Sequence, residues 1–319
     1  MQNAAAAHIL YIPGFIYIIN FGLTQQEVDE QYEIAREFFA LPLDERMACR
    51  CNLDEGDFIG YQPCGHRELK PGVRGNNELY NIPRFGENAP RRKHPSTIIE
   101  HWSRIEQFSR YVHEQIVMKL LRLFEMVLLV PEGHFGKLHL YEEEHSSYLR
   151  YMKYHARTAE QNAALDNVWL RGHTDFGSLS ILFRQPITSL QVRTQQGEWK
   201  YVRPYPESIT MNVGDQLQFL SNGFFKSSVH RVVAPPADQA HLDRLGVLYF
   251  ARVRDDAVLA GAKSPVLRKE NLMASDEVIL AKDWVKARTL ATISARQNEF
   301  AVDKHKLDAF GNGLRPTYA

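Results

Sequence analysis

Between residues 177 and 251 the chain repeats one pattern, a short apolar run followed by turn residues. Residues 177–183, 189–193, 199–203, 208–213, 216–220, 227–233 and 245–251 each read as a strand. The punctuation between them is Gln196-Gly197, Pro204 and Pro206, Gly214-Asp215, Asn222-Gly223 and Pro235-Pro236. Short strands at close, regular intervals predict an antiparallel sandwich or barrel over roughly 145–255.

Upstream the period changes. Residues 14–22 read as one more strand, and 25–39 as an amphipathic helix with Thr24 as its N-cap. Thr97-Ile98-Ile99-Glu100 reads as a capping box opening a long helix, with Ile98, Trp102, Ile105, Val112, Ile116, Leu120, Leu123 and Val127 at helical spacing. That stripe predicts core packing that buttresses the barrel. Residues 54–85, rich in Gly, Pro and Asn, read as a loop long enough to be a lid. Near the C-terminus Ser275 is a candidate cap for a helix running to about Arg288, with Trp284 facing inward. The organisation expected is a single domain over 1–319. It has a helical and loop part to about 140, the strand-rich core, and a helical segment over about 270–300.

Composition narrows the class without choosing an activity. At 319 residues and 44% hydrophobic content, one large domain is long enough to bury a sizeable core. Lys plus Arg equals Asp plus Glu, 38 each, so no basic footprint for nucleic acid or an anionic membrane surface exists. Cys49, Cys51 and Cys64 form neither a disulfide framework nor a zinc ribbon, which indicates a reducing compartment. No apolar run reaches transmembrane length, and the mildly apolar stretch 4–19 has no basic leader and is interrupted by Pro13-Gly14. The expectation is a cytoplasmic protein with a small-molecule substrate and neither nucleic acid nor membrane as partner.

The chemistry enters with Arg171-Gly172-His173-Thr174-Asp175 and, far downstream, Val229-His230-Arg231-Val232. On a strand the side chains of His173 and Asp175 would share one face and reach one metal as a pair. Two imidazoles and one carboxylate that leave coordination positions open favour non-haem Fe(II) over a closed structural zinc site.

The order His-x-Asp, Asn212-Val213-Gly214-Asp215, Ser228-Val229-His230-Arg231-Val232 and a later strand arginine resembles the isopenicillin N synthase-like family of Fe(II)- and 2-oxoglutarate-dependent oxygenases. The resemblance covers roughly residues 13–254. It implies a mainly β fold with flanking helices around a double-stranded β-helix, the cupin-like jelly roll. It also implies a dioxygenase that consumes O2, converts 2-oxoglutarate to succinate and CO2, and oxidises a C–H bond of a small, ring-containing compound of secondary metabolism. His173, Asp175 and His230 would bind iron. Arg244 would grip the distal carboxylate of 2-oxoglutarate, a task suited to a planar fork that does not lose its proton. Tyr154 would reach toward the same co-substrate.

The chain also departs from the family. Gly246 stands where the usual Arg-x-Ser pattern has serine, so water or Tyr154 must fill the gap or the co-substrate binds differently. Phe21 replaces the histidine of Asn-His-Gly, and Met1 to Tyr11 leaves no room for the strand and helix with which relatives begin. Arg150 shares a strand face with Met152 and Tyr154, and an inward arginine needs a partner. It is therefore the substrate-binding candidate, set against a plain salt bridge to Glu142, Glu143 or Glu144. Some members place an arginine and two aromatics around a flat ring; here Phe176 and Phe250 would be those aromatics, or core. Two other readings stay open: an Fe(II) oxidase that uses no 2-oxoglutarate and puts a substrate carboxylate on Arg244, and a catalytically silent relative that only binds a ligand.

Overall fold

Alternation along the strands generates two faces with opposite character, and this division positions everything else. The computed structural model describes residues 14–86, 92–269 and 279–288. Its strands are β1 (Phe15–Ile19), β2 (Gly60–Gln62), β3 (Glu68–Lys70), β4 (Val73–Arg74), β5 (Asn77–Pro83), β6 (Tyr148–Tyr154), β7 (Val168–His173), β8 (Leu179–Phe183), β9 (Leu190–Arg193), β10 (Trp199–Tyr201), β11 (Ser208–Val213), β12 (His230–Val233) and β13 (Arg244–Ala251). Eleven of them form a seven-stranded sheet in the order β1-β11-β8-β13-β6-β5-β2 and a four-stranded sheet β10-β9-β12-β7, while β3 and β4 pair with each other. Two packed antiparallel sheets with crossover connections are the sandwich that the strand pattern predicts and the jelly roll that the resemblance implies.

One face of the large sheet is apolar. Leu149, Tyr151, Ile181, Phe183, Ile209, Met211, Val247 and Tyr249 are all buried there in one cluster with helix residues Ala35, Phe38, Ile105, Phe108 and Leu121. Each large aliphatic side chain so buried contributes roughly 1.5–3 kcal/mol. On the other face the register sets Arg244 opposite Tyr154, Gly246 opposite Met152, Leu248 opposite Arg150 and Phe250 opposite both Tyr148 and Ser180. This face meets the small sheet, where Tyr154 stacks on Trp169 and Phe15 meets His230 edge-on. Function-bearing side chains therefore line the space between the sheets.

Helices α1 (Gln25–Ala40), α2 (Leu43–Met47), α3 (Ser96–Glu100), α4 (Trp102–Tyr111), α5 (Met118–Leu128), α6 (Ala159–Ala163) and α7 (Asp215–Leu220) precede a short α8 (Pro265–Lys269). α1 opens on Thr24 as expected, through a full capping box in which Glu27 N–H donates to Thr24 Oγ1 at 3.2 Å and Thr24 N–H to Glu27 Oε2 at 2.7 Å.

Four expectations need correction. Thr97 caps nothing: α3 starts after Pro95, and Glu45 of α2 accepts the Ser96 N–H at 2.9 Å, so the first orphan donor is satisfied from a distant element. The long helix is interrupted by a π-helical turn over Val112–Val117. Its wider turn rotates the following stripe, so Leu123 and Val127 are 54% and 52% exposed while Leu121, Phe124 and Leu128 take the core. Residues 54–85 are not one loop, since they contain β2 to β5, and Asn77–Pro83 is buried along its whole length. Residues 216–220 belong to α7 rather than to a strand. Leu217 and Leu220, three apart, are its buried apolar pair, a spacing that a five-residue run cannot distinguish from alternation.

At the C-terminal side β14 (Val258–Leu259) pairs with β15 (Ile279–Leu280), and residues 281–288 are helical with Trp284 buried as expected. Ser275 lies outside the described residues. No helix among those described is long and apolar enough to cross a membrane.

Three buried histidines, His113, His139 and His145, pack beside β13 and fix a pH dependence. Each meets a carbonyl with one ring nitrogen and a donor with the other. His113 Nε2 donates to His139 O at 2.6 Å and its Nδ1 accepts from the Tyr249 hydroxyl at 2.8 Å. His139 Nδ1 donates to Phe135 O at 2.8 Å and its Nε2 accepts from Ser178 Oγ at 2.8 Å. His145 Nε2 donates to Tyr141 O, and its Nδ1 accepts from Ser147 N–H, both at 3.2 Å. These partners suit only neutral rings, and burial pushes His113 and His139 down to about 4 and His145 down to about 2. Below the ordinary histidine pKa of about 6.5 the unfolded chain takes up protons that the fold refuses, so stability falls as pH falls. It is present in full above about pH 6.5 and should drop by several kcal/mol, at about 1.4 kcal/mol per histidine and pH unit, by about pH 5. Urea midpoints measured at about pH 7.5, 6 and 5 check this; a flat profile would contradict it.

Candidate active site

β7 and β12 are neighbours in the small sheet, and His173 is directly opposite His230 despite their distance in sequence. Their rings lie 4.4 Å apart between centroids. His173 Nδ1 donates to Arg171 O at 2.9 Å and His230 Nδ1 to Ser228 O at 3.1 Å, which fixes both tautomers and leaves each Nε2 lone pair free. Both Nε2 atoms converge on Asp175 Oδ1, at 3.9 Å from His173 and 3.8 Å from His230. One ligand atom from each of the three residues fits within 4.8 Å of the others, a group able to hold a metal ion.

Strand alternation is not what aims Asp175. β7 ends at His173, and Asp175 lies in the following loop. Its orientation comes from the large sheet: Ser180 Oγ donates to Oδ2 at 2.6 Å and Asn212 Nδ2 at 2.8 Å, so Oδ1 is the oxygen turned toward the imidazoles. The Asp175 carbonyl also accepts from Asp215 N–H at 2.8 Å. Burial alone would raise the Asp175 carboxyl, but His230, His173 and the two hydrogen bonds bring it below its ordinary value. Burial and His230 hold the His173 ring below the usual histidine range. A neutral ring and an ionised carboxylate are the forms that ligate a divalent ion.

Farther along β13, Arg244 is 5% exposed and lies across the Tyr154 ring at 5.6 Å. Arg244 Nε and the Tyr154 hydroxyl are both buried without a hydrogen-bond partner. Among the described residues no carboxylate pairs with Arg244. A buried guanidinium without a counter-ion is costly, so the donor set fits an incoming carboxylate, as the 2-oxoglutarate assignment requires.

The gap at Gly246 is filled by neither water nor Tyr154. Gln185 occupies it, with Nε2 donating to Leu245 O at 2.8 Å, and a Cβ at position 246 would collide with that nitrogen. Gly246→Ser is thus expected to displace the end of Gln185 and, through the lost bond to the Leu245 carbonyl, to cost about 1 kcal/mol of unfolding free energy. The loss should shrink in a Gln185→Ala background, and equal losses in both backgrounds, measured by urea unfolding, would contradict this packing.

Arg150 pairs with none of Glu142, Glu143 and Glu144. Its Nε donates to Asn81 Oδ1 at 2.7 Å, Nη2 donates to the Tyr148 hydroxyl at 3.2 Å, and the guanidinium lies 4.8 Å from the Phe250 centroid. Phe250 stacks on Tyr148 at 4.8 Å. Phe176 lies under Arg288, whose guanidinium is 5.0 Å from its centroid. Arg288 forms a buried ion pair with Asp215, whose carboxylate also accepts from Thr174 Oγ1 at 3.0 Å. This ties the C-terminal helix to the His173–Asp175 loop. Asn81, Gln185 and Arg288 escaped sequence reasoning because each acts through a partner far away in the chain, whereas Ser180, Asn212 and Asp215 were read only as strand or motif residues and take their roles from the fold.

Residues 143–252 match the 2OG-Fe(II) oxygenase superfamily, and residues 10–104 match the N-terminal region described as non-haem dioxygenase in morphine synthesis. The 2-oxoglutarate-dependent dioxygenase gloE of Glarea lozoyensis is 30% identical over 251 residues, 77% of this chain and 73% of the relative. The homoarginine-6-hydroxylase 2-ODD-C23.1 of Arabidopsis thaliana is 27% identical over 77% of this chain and 75% of its own length. Among solved structures, a full-length Neurospora crassa protein in complex with alpha-KG and thymine superimposes with a TM-score of 0.75 at 22% identity, covering 88% of each chain. JOX2 in complex with 2OG, Fe and JA superimposes with a TM-score of 0.68 at 22% identity, covering 85% of this chain and 76% of its own.

Proposed function

The chain belongs to the 2OG-Fe(II) oxygenase superfamily and is a 2-oxoglutarate-dependent dioxygenase, and from that premise we propose that it oxidises a C–H bond of a small, ring-containing metabolite in a site framed by Arg150 and Phe250. In this reading His173, Asp175 and His230 hold the iron, and Arg244 with Tyr154 holds 2-oxoglutarate. The observation that carries it is the pairing of a convergent His-Asp-His group with a buried, unpaired arginine and tyrosine on the facing sheet. When bound, iron and 2-oxoglutarate supply the oxidising chemistry that couples decarboxylation to substrate oxidation.

The chain's own residues do the positioning. Asn212 and Ser180 aim Asp175 Oδ1 inward, the backbone carbonyls of Arg171 and Ser228 orient the imidazoles, and Arg244 sets one end of the co-substrate. Phe250 is directly opposite Ser180 across the β13–β8 pair, so a ring lying against Phe250 sits one strand from the Asp175 anchor. Phe176 touches the same loop but packs against Arg288, so its part is to seat the C-terminal helix near the substrate. The curated relatives named here are a 2-oxoglutarate-dependent dioxygenase and a hydroxylase, which supports co-substrate rather than substrate on Arg244, against an oxidase without 2-oxoglutarate. One domain spanning the whole chain is consistent with this assignment.

Arg150→Met tests the substrate half. Substrate-independent succinate formation should persist while product per succinate collapses at least tenfold, and the melting temperature should fall only by the few degrees that stranding the buried Asn81 Oδ1 costs. A product-to-succinate ratio equal to that of the parent enzyme would remove Arg150 from the site.

A further inference from the structure

Resting on that ring-site reading, we propose that Arg252 is a second cationic fork in the substrate site and that the substrate is therefore a flat ring bearing a carboxylate. Arg252 follows Phe250 by two residues, on the side of β13 that faces the site. Its Cγ lies 3.2 Å from where a Cβ would stand on Gly177, the loop residue two positions past Asp175. Its guanidinium lies 4.3 Å from the Phe58 centroid and 5.2 Å from that of Tyr148. Arg150 covers the other partner of the same stack, Phe250, and also lies 5.2 Å from the Tyr148 centroid. Two guanidinium groups thus flank one pair of stacked rings.

The polar bonding of these two cations is incomplete. Arg252 is 4% exposed, its Nη1 donates to Ser146 Oγ at 3.3 Å, its guanidinium also bonds to the Tyr148 hydroxyl, and its Nε is buried without a partner. Among the described residues no carboxylate lies within ion-pair distance of Arg252 or Arg150. Asp255 acts on Arg252 only from longer range, while Arg150 acts against it, and burial lowers the Arg252 pKa. The buried Arg252 and the half-buried Arg150 beside it are like charges without a counter-ion among the described residues, an arrangement expensive to keep, and aromatic faces neutralise neither. A carboxylate entering beside the rings would supply what both forks lack, and bidentate geometry explains arginine rather than lysine at each position. A purely structural Arg252, clamping Phe58 onto Tyr148, would leave the site indifferent to substrate charge.

The test compares matched ring compounds on the full chain, loaded anaerobically with Fe(II) and 2-oxoglutarate: benzoate, nicotinate and orotate against their uncharged amides, with affinity measured by calorimetry. At least one acid should bind at least tenfold more tightly than its amide. Arg252→Met should weaken that acid about ten- to a hundredfold and leave the amide unchanged, while Lys recovers only part of the preference. Should the Met variant fail to fold, Arg252→Lys carries the same comparison, with a partial loss confined to the acid as the supporting result. Equal affinity for acids and amides, with Arg150→Met weakening both, would overturn the inference and leave the ring site standing. An acid preference undiminished in a folded Arg252 variant would overturn it as well. Binding of no ring compound would overturn the ring site itself, and the inference with it.

Discussion

Alanine at His173 or at His230 is expected to abolish 2-oxoglutarate turnover, a loss well beyond a hundredfold, while the metal-free protein melts within a few degrees of the parent. Each imidazole supplies an Nε2 that no protein group claims as a hydrogen-bond partner, so deletion removes a metal ligand and breaks only the one Nδ1–H bond to the Arg171 or Ser228 carbonyl, worth about 1 kcal/mol. Asp175→Ala should be equally inactive but less stable, because it strands the Ser180 hydroxyl and the Asn212 amide, each worth about 1 kcal/mol. Asn212→Ala, which only loosens the aim of the carboxylate, should fall between, at about ten- to a hundredfold. Succinate release and melting temperature on the same preparations separate these classes. Activity retained in either histidine variant would end the metal assignment.

The second large effect concerns Arg244. Arg244→Met should raise the 2-oxoglutarate requirement about ten- to a hundredfold, since a charge-assisted contact to a carboxylate contributes about 1.5–3 kcal/mol. Lys should restore part of it, having the charge but not the fork. Stability should move the other way. With no carboxylate paired to Arg244 among the described residues, replacing this buried cation by an apolar side chain of similar length removes a desolvation penalty, so the Met variant should melt no lower than the parent without co-substrate. Added 2-oxoglutarate should raise the melting temperature of the parent and not that of the variant. Unchanged co-substrate dependence in Arg244→Met would place 2-oxoglutarate elsewhere.

Some of this was legible in the sequence for a physical reason. The β11 segment alternates Ile209 and Met211 toward the helices with Thr210 and Asn212 toward the site, and both faces left their mark on residue type. His173 and His230 were readable because imidazole at those positions has few other uses. Other features were silent. The π-helical turn at Val112–Val117 shifts the core stripe without any local residue announcing it. β5 reads as loop because Asn77, Asn81 and Pro83 look like turn residues, yet Asn81 is there to hold Arg150. Gly246 looked like a deficiency until Gln185, from the far side of β8, proved to fill its space. Arg252 and Arg288 carry no sequence signal at all, since what distinguishes them is burial and the identity of distant partners.

The most direct measurement is an anaerobic titration of the metal-free protein with Fe(II), in the presence and absence of 2-oxoglutarate, following iron bound per chain. The account predicts one iron per chain in the parent, bound more tightly when 2-oxoglutarate is present. His230→Ala should lose the iron, and Arg244→Met should keep it but lose the enhancement by 2-oxoglutarate. Stoichiometric, 2-oxoglutarate-enhanced iron binding in His230→Ala, or enhancement undiminished in Arg244→Met, would contradict it.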